Sequence, residues 1–347
     1  MNDGEHELLA AARAGDGFAF EQLTKQHRRE LYAHCYRMLG SIQDAEDALQ
    51  ESLLGAWRGL AGFEGRSSLR TWLYRVATHA CLRLAGHRPR RVLSPDHGPA
   101  SPDPHDLGEP VTAPIWLEPW PDEGVDGGVD DGLRLDDGAD PAEAYLRRET
   151  VELAFVAALQ HLPGTQRAVL ILRDVLGFSA AEAAGILDTT PASVNSAMQR
   201  ARATVAERVP ARSQQAELAA LGAEGEAVLV RDFVAAWERA DVPALLTLLA
   251  NDARFTMPPL PAWFAGREAV GQFLAERVFA TPWRLIPITA NGQPALACYQ
   301  YDGQRFPLSA VNVLSLRDGQ VSWIAAFLDQ GLRRHFDVPT EISSPRR

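Results

Sequence analysis

Residues 162–203 read LPGTQRAVLILRDVLGFSAAEAAGILDTTPASVNSAMQRARA, and this stretch decides the fold of its neighbourhood. PGTQRAVLILRDVLG has helical apolar spacing and stops at Gly177, a residue suited to the left-handed conformation that ends helices. FSAAEAAGILD then opens with Ser179 and Glu182 three apart, the pattern of a capping box. Thr190 is placed as the N-cap of a further helix, with Pro191 at the first helical position, where an absent N–H is no loss. So short a turn between two helices is the spacing of a helix-turn-helix, whose second helix enters the major groove by its N-terminal residues. Ser193, Asn195, Ser196 and Gln199 are the polar side chains early in that helix, and Arg200 and Arg202 follow where phosphates would lie. A plain helical hairpin is the competing reading.

Upstream, VELAFVAALQHL forms an amphipathic helix that belongs to the same block, residues 143–212. The 347 residues suggest two or three domains at roughly 150 residues each. A net charge of −11 argues against nucleic-acid binding until it is divided along the chain. Residues 92–142 hold 13 acidic side chains and one basic one, whereas residues 1–91 and 143–212 are mildly basic. The same segment holds nine prolines and seven glycines, so it reads as an extended acidic linker. Its PIWLEPWPDEG stretch, with Trp116, Leu117 and Trp120, is unusually apolar for a spacer and points to a docked anchor or to a disordered tract with chance tryptophans.

The first block, 1–91, reads as helical. SIQDAEDALQESLLGAW starts with Ser41 as N-cap, buries Ala45, Ala48, Leu49, Ser52, Leu53 and Ala56, and turns Asp44, Asp47 and Glu51 to the opposite face. A solvated helix face is the bland reading of that acidic stripe. A loop, Gly62–Gly65, precedes a second helix from about Ser68 to Leu84. Its Arg75, His79 and Arg83 recur at i, i+4 and i+8 as a basic stripe, with Arg66 and Arg70 at its start. Trp72 reads as a core anchor, while Phe63, between glycines, is the better candidate for contact with an unstacked base.

DAEDALQES, FEGRSSLRTWLYRVATHACLR and the helix-turn-helix stretch occur in the order of the sigma-70 family, and the chain resembles its small, two-domain extracytoplasmic-function form over residues 8–91 and 145–209. The resemblance implies that the Asp44, Asp47, Glu51 face binds the clamp helices of the polymerase largest subunit, with the flap of the second subunit as a further partner. It implies that Phe63, Arg66, Arg70, Arg75, His79 and Arg83 serve the promoter minus-10 element. The minus-35 element falls to Thr190, Ser193, Asn195, Ser196, Gln199, Arg200 and Arg202. The physics agrees: acidic stripe meets basic coiled coil, and a capped helix end meets groove and backbone. Asn195 and Ala197 stand where this family often has basic residues, so weak minus-35 binding by the isolated domain is expected.

Residues 213–347 lie outside that pattern. Helices over about 225–239 and 242–249 precede a strand at 253–257, a helix at 268–279, and strands punctuated by Asn291–Gly292, Asp302–Gly303 and Asp318–Gly319, dipeptides of tight hairpins. The order resembles the SnoaL-like members of the nuclear-transport-factor-2-like superfamily. That likeness implies a conical pocket, with Trp237, Phe255, Met257, Trp263, Tyr299 and Trp323 as lining and an unknown small molecule as its conceivable ligand. Asp241 and Asp252 fall at helix ends, where capping or solvent exposure is the simple reading, so no acid–base pair is evident and a regulatory module is favoured over an enzyme.

The expected architecture is therefore multidomain: two all-α sigma domains, a helical bundle and a helix-turn-helix, joined by a flexible acidic linker, plus a C-terminal α+β cone. Cys35, Cys81 and Cys298 are too few and too scattered for a disulfide framework or a metal site, so no metal, cofactor or catalytic residue is expected. No apolar run nears the roughly 20 residues of a membrane span, so a cytoplasmic protein without a membrane partner is expected. Two other readings stay open: a helix-turn-helix regulator with a ligand pocket, and a sigma-like scaffold fused to an isomerase or cyclase.

Overall fold

The computed structural model describes residues 3–113, 115–122 and 151–343. The remainder of the linker, residues 123–142, and the first residues of the helix-turn-helix block, 143–150, lie outside the described residues. Helices in chain order are α1 (Asp3–Arg13), α2 (Gly17–Leu39), α3 (Ile42–Gly59), α4 (Leu69–His87), α5 (Ser94–His97) and α6 (Leu153–Gln160). They continue with α7 (Gly164–Leu170), α8 (Ala180–Ile186), α9 (Pro191–Ala206), α10 (Gln214–Glu238), α11 (Val242–Leu248) and α12 (Arg267–Glu276). Strands are β1 (Leu249–Thr256), β2 (Trp263–Ala265), β3 (Trp283–Ala290), β4 (Gln293–Gln300), β5 (Phe306–Arg317), β6 (Gln320–Phe327) and β7 (Glu341–Ile342). The chain divides into two compact units, Met1–Arg91 with Ala154–Val209, and Val92–Leu153 with Pro210–Arg347.

In the first unit the helix starts are chemically marked. Asp16 accepts from the Phe18 and Ala19 amides at 2.9 and 3.1 Å, Ser41 from the Asp44 amide at 3.2 Å, and Ser68 from the Thr71 amide at 3.0 Å. α2, α3 and α4 pack on one another, α2 burying Leu31, Cys35 and Tyr36, α4 burying Leu73, Tyr74, Ala77 and Cys81, and α3 burying the small Ala45, Ala48 and Ala56. Ser179 and Glu182 form the expected capping box, at 2.8 and 3.2 Å, and those hydrogen bonds hold the Glu182 carboxyl below its ordinary range. Between α7 and α8 the helix widens into a π turn, Ile171–Val175, before Gly177 ends it at φ +72°.

Arg167 of α7 is buried and donates to the Met38 carbonyl at the end of α2, to Gln160 Oε1 at 2.7 Å, and to the Gln160 and Leu162 carbonyls at 3.2 and 3.1 Å. Gln160 in turn donates to the Arg37 carbonyl at 3.2 Å. The last carbonyls of α2, which no intrahelical amide serves, are thus satisfied by the helix-turn-helix part of the same unit. Burial pushes the Arg167 guanidinium down to about 10, still charged at neutral pH.

The second unit carries one sheet in the order β2-β1-β6-β5-β4-β3, with β7 added to β5. β1 and β6 run parallel and the other pairs antiparallel. Asn291–Gly292 and Asp318–Gly319 have positive φ at both residues, a type I′ signature that bears out two of the expected tight hairpins, whereas at Asp302–Gly303 only the glycine has positive φ and a longer loop joins β4 to β5. One face packs under α10, α11 and α12 through Phe233, Trp237, Phe255, Leu274, Leu296 and Leu314. The opposite face buries Ala297, Tyr299, Phe306 and Leu308 beneath Val338 and Ile342.

The linker expectation needs correction over its described part. Residues 92–122 belong to the second unit and bury Trp116, Leu117 and Trp120. The Val92 amide donates to the Ile115 carbonyl at 2.7 Å, Ser101 to Trp263 at 2.8 Å, and Val111 to Pro259 at 2.9 Å. Trp263 Nε1 returns a bond to the Gly98 carbonyl at 2.8 Å. An irregular segment whose amides reach protein carbonyls instead of water is a fixed strap. Of the two readings of Trp116 and Trp120, the docked anchor is the one observed.

The strap ends at the β3–β4 turn. Asn291 Oδ1 accepts from the Trp120 amide at 2.9 Å, the Asn291 amide donates to the Trp120 carbonyl at 2.8 Å, and Nδ2 donates to the Val151 carbonyl at 2.6 Å. Asp122 accepts from the Gly292 amide at 3.0 and 2.9 Å, and Gln293 Oε1 from the Leu153 amide at 3.0 Å. Both described flanks of the acidic segment therefore meet at one turn.

Candidate nucleic-acid interface

Recognition-type residues occupy one face of α9. Thr190 caps the helix by accepting from the Ser193 amide at 3.2 Å, and Val194, Ala197, Met198 and Ala201 are buried. Ser193, Asn195, Ser196, Gln199, Arg200 and Arg202 are exposed. Arg200 leans on Ser196 Oγ at 2.8 Å. Arg202 instead forks onto both oxygens of Asp174 at 2.9 and 2.6 Å, and that carboxylate raises its pKa. An Arg already held by a carboxylate is a weaker phosphate contact than the sequence alone indicates.

Arg70, Arg75, His79 and Arg83 lie on α4 and Arg66 in the loop before it, and each has a partner. Arg66 pairs with Glu64 at 2.9 Å and Arg83 with Glu51 at 2.6 Å. Arg70 pairs with Glu30 at 3.2 Å and lies over the Tyr74 and Phe178 rings at 5.0 and 4.9 Å. Arg75 reaches Asp188 at 2.6 Å and the Gly185 carbonyl at 3.2 Å, while His79 Nε2 lies 2.9 Å from the Ile186 carbonyl and 3.3 Å from Asp188.

Two members of the predicted sites are placed differently. Asp44, assigned to a solvent-facing acidic stripe, is buried at the start of α3, ion-paired with Arg91 and 3.5 Å from Arg88. Asp44 shares its helix face with Glu51, seven residues on, but at the first turn of α3 it is taken up by Arg91 and Arg88, so the exposed stripe consists of Asp47 and Glu51. Phe63, expected on an open loop, is buried with its ring 5.0 Å from Trp72 and the Arg13 guanidinium 5.8 Å above it. Burying the ring on Trp72 outweighs leaving it in water. Sequence reasoning did not find Leu54, which is 49% exposed beside the acidic residues of α3, or Phe18, 69% exposed at the start of α2.

The six aromatic and sulfur side chains proposed for a pocket do not line one space. Strand alternation divides them: Phe255 pairs in register with Phe264 on the helix-covered face, where Met257 and Trp237 also lie. Trp263, Trp323 and Tyr299 project to the other face, Trp323 Nε1 donating to Thr256 Oγ1 at 3.0 Å and Tyr299 Oη to the Pro339 carbonyl at 2.9 Å. Asp241 N-caps α11 by accepting from the Ala244 amide at 3.1 Å. Asp252 lies in β1, not at a helix end, and is held below the ordinary carboxylate range by its hydrogen bond from Arg317. Neither faces the enclosed side. Among the described residues no group of three metal-ligating side chains gathers, and no helix is long and apolar enough to cross a membrane.

A helical bundle and a capped helix-turn-helix, followed along the chain by a separate unit of helices and one sheet, define a sigma-like transcription protein. Residues 23–90 match Sigma-70 region 2, residues 152–205 match Sigma-70 region 4, and residues 230–324 match the SnoaL-like domain. The chain is 42% identical over 338 residues to the ECF RNA polymerase sigma factor SigG of Mycobacterium tuberculosis, covering 96% of this chain and 86% of that one. It is 33% identical over 200 residues to SigM of the same organism, covering 58% of this chain and 82% of that one. The crystal structure of the M. tuberculosis extracytoplasmic function sigma factor SigJ shares the fold, with a TM-score of 0.56 at 21% identity over 90% of this chain and 97% of that one. This chain belongs to the ECF RNA polymerase sigma factors, with a SnoaL-like domain at its C-terminal side.

Proposed function

We propose that Asp47 and Glu51 of α3 dock on core RNA polymerase, that the α4 stripe serves the minus-10 element, and that the exposed face of α9 reads the minus-35 element in the major groove. The reading rests above all on α9: a capped N-terminus with Ser193, Asn195, Ser196 and Gln199 exposed together, over a buried Val194–Ala197–Met198 side. The SnoaL-like unit serves as a regulator of initiation. Its hold on residues 92–122 and 151–153, the chain that joins the two sigma regions, supports this role.

Run-off transcription with purified bacterial core polymerase tests the assignments, using the full chain on the promoter upstream of its own gene. Asn195→Ala changes the minus-35 base preference at one position, a discrimination of about 1–3 kcal/mol per bidentate contact. Asp47→Arg abolishes core binding by setting like charge against a basic partner. Unaltered base preference in the first variant, or normal core pull-down by the second, removes that residue from the interface.

A further inference from the structure

The basic stripe of α4 is occupied within its own unit. The end of α8 and the turn that follows it present two main-chain acceptors, the Gly185 and Ile186 carbonyls, and the Asp188 carboxylate, and these three meet Arg75 and His79. Asp188 holds φ +51°, a left-handed conformation that asparagine, aspartate and glycine tolerate and that aims this turn at α4. A second, buried contact joins the same pair of regions, where Arg167 and Gln160 serve the Arg37 and Met38 carbonyls. Two separate polar contacts make the arrangement specific rather than a loose collapse.

From this geometry we infer that the first unit closes on itself: the α8–α9 turn, with Asp188 at its tip, occupies the Arg75–His79 stripe in place of a nucleic-acid backbone and must be displaced before that stripe binds DNA. The inference rests on the reading of the stripe as a DNA contact. It follows from the chemistry of the groups: a carboxylate and two carbonyls offer the same anionic and acceptor pattern as phosphodiester oxygens. DNA and the turn therefore compete for one set of donors. The Arg75–Asp188 pair is solvent-exposed, so it is a weak lock that salt and a polyanion can open.

The test is a fluorescence-anisotropy titration of a labelled single-stranded DNA 20-mer with the full-length chain at low salt. Asp188→Asn keeps the backbone conformation and removes the charge, and Asp188→Gly, which suits positive φ, serves as a second variant. Both are expected to bind about fivefold tighter than the parent, a factor matched to an exposed ion pair. Glu207→Gln, an equal charge change on an exposed residue beyond α9, controls for the altered net charge and stays within about twofold of the parent. Asp188 variants that bind no better than Glu207→Gln overturn the inference while leaving the stripe as a DNA contact. Arg75→Ala is expected to weaken binding. If instead it binds like the parent, the reading of the stripe fails, and the inference falls with it.

Discussion

His34 lies at the centre of the α2–α4 packing, its Nε2 2.9 Å from Thr78 Oγ1 and its ring edge-on to Tyr74 at 5.2 Å. Burial lowers its pKa from 6.5 to about 3, with Arg37 adding to the effect and Glu30 opposing it. The folded state therefore holds a neutral imidazole where the unfolded chain takes up a proton. The contribution to stability is intact above pH 6.5 and is lost as the pH falls toward 3, at up to about 1.4 kcal/mol per pH unit. Between pH 6.5 and 5 the helical unit should lose about 2 kcal/mol from this group alone. His34→Gln keeps a polar partner for Thr78 and removes the titration, so its urea midpoint, followed by circular dichroism, should fall less over that interval. An identical pH slope in the variant assigns the effect to other groups. At this scale the sequence was legible where a residue's role is local: Ser41, Ser179 and Thr190 are caps because the amide each serves lies three residues away. Asp44 was not legible, since the Arg91 that buries it is 47 positions distant.

The β3–β4 turn shows how much one element can hold. Asn291 adopts φ +57°, is fully buried, and places donor and acceptor on the Trp120 backbone and on the Val151 carbonyl. The NG dipeptide predicted the hairpin. It could not predict that the asparagine amide would clasp two segments 171 and 140 positions away, because nothing local encodes them. Asn291→Gly preserves the turn while stripping the amide, which leaves the Trp120 amide and the Val151 carbonyl to find other partners. The local cost is about 2 kcal/mol, so hydrogen exchange at the Trp120 amide should accelerate about thirtyfold, with the α4 amides unchanged. Exchange at the parent rate would show that the strap is held by its tryptophans and not by the turn. Register explains the other element-level miss. Trp263, Trp323 and Tyr299 looked like partners of Phe255 and Met257 only while the strand positions were counted by composition; a period of two puts them across the sheet.

For the whole molecule, the joining segment matters most. Residues 92–153 are long enough to reach about 200 Å if fully extended. That reach is unavailable while residues 92–122 lie along the second unit and Trp120 and Val151 share Asn291. On the proposed reading, in which the two sigma regions contact separated promoter elements, the strap restrains initiation, and loosening it should raise transcription. Trp120 is the side chain to remove: it is buried, it belongs to no predicted DNA or polymerase contact, and truncating a buried tryptophan costs about 3–5 kcal/mol of local packing. Trp120→Ala in the full chain should increase run-off product severalfold at limiting sigma concentration, with core-polymerase binding unchanged. Reduced product with normal core binding would mean that the strapped form is the active one, so that the SnoaL-like unit supports initiation instead of restraining it. Product equal to that of the parent would remove the strap from regulation and leave the C-terminal unit without an argued role in initiation.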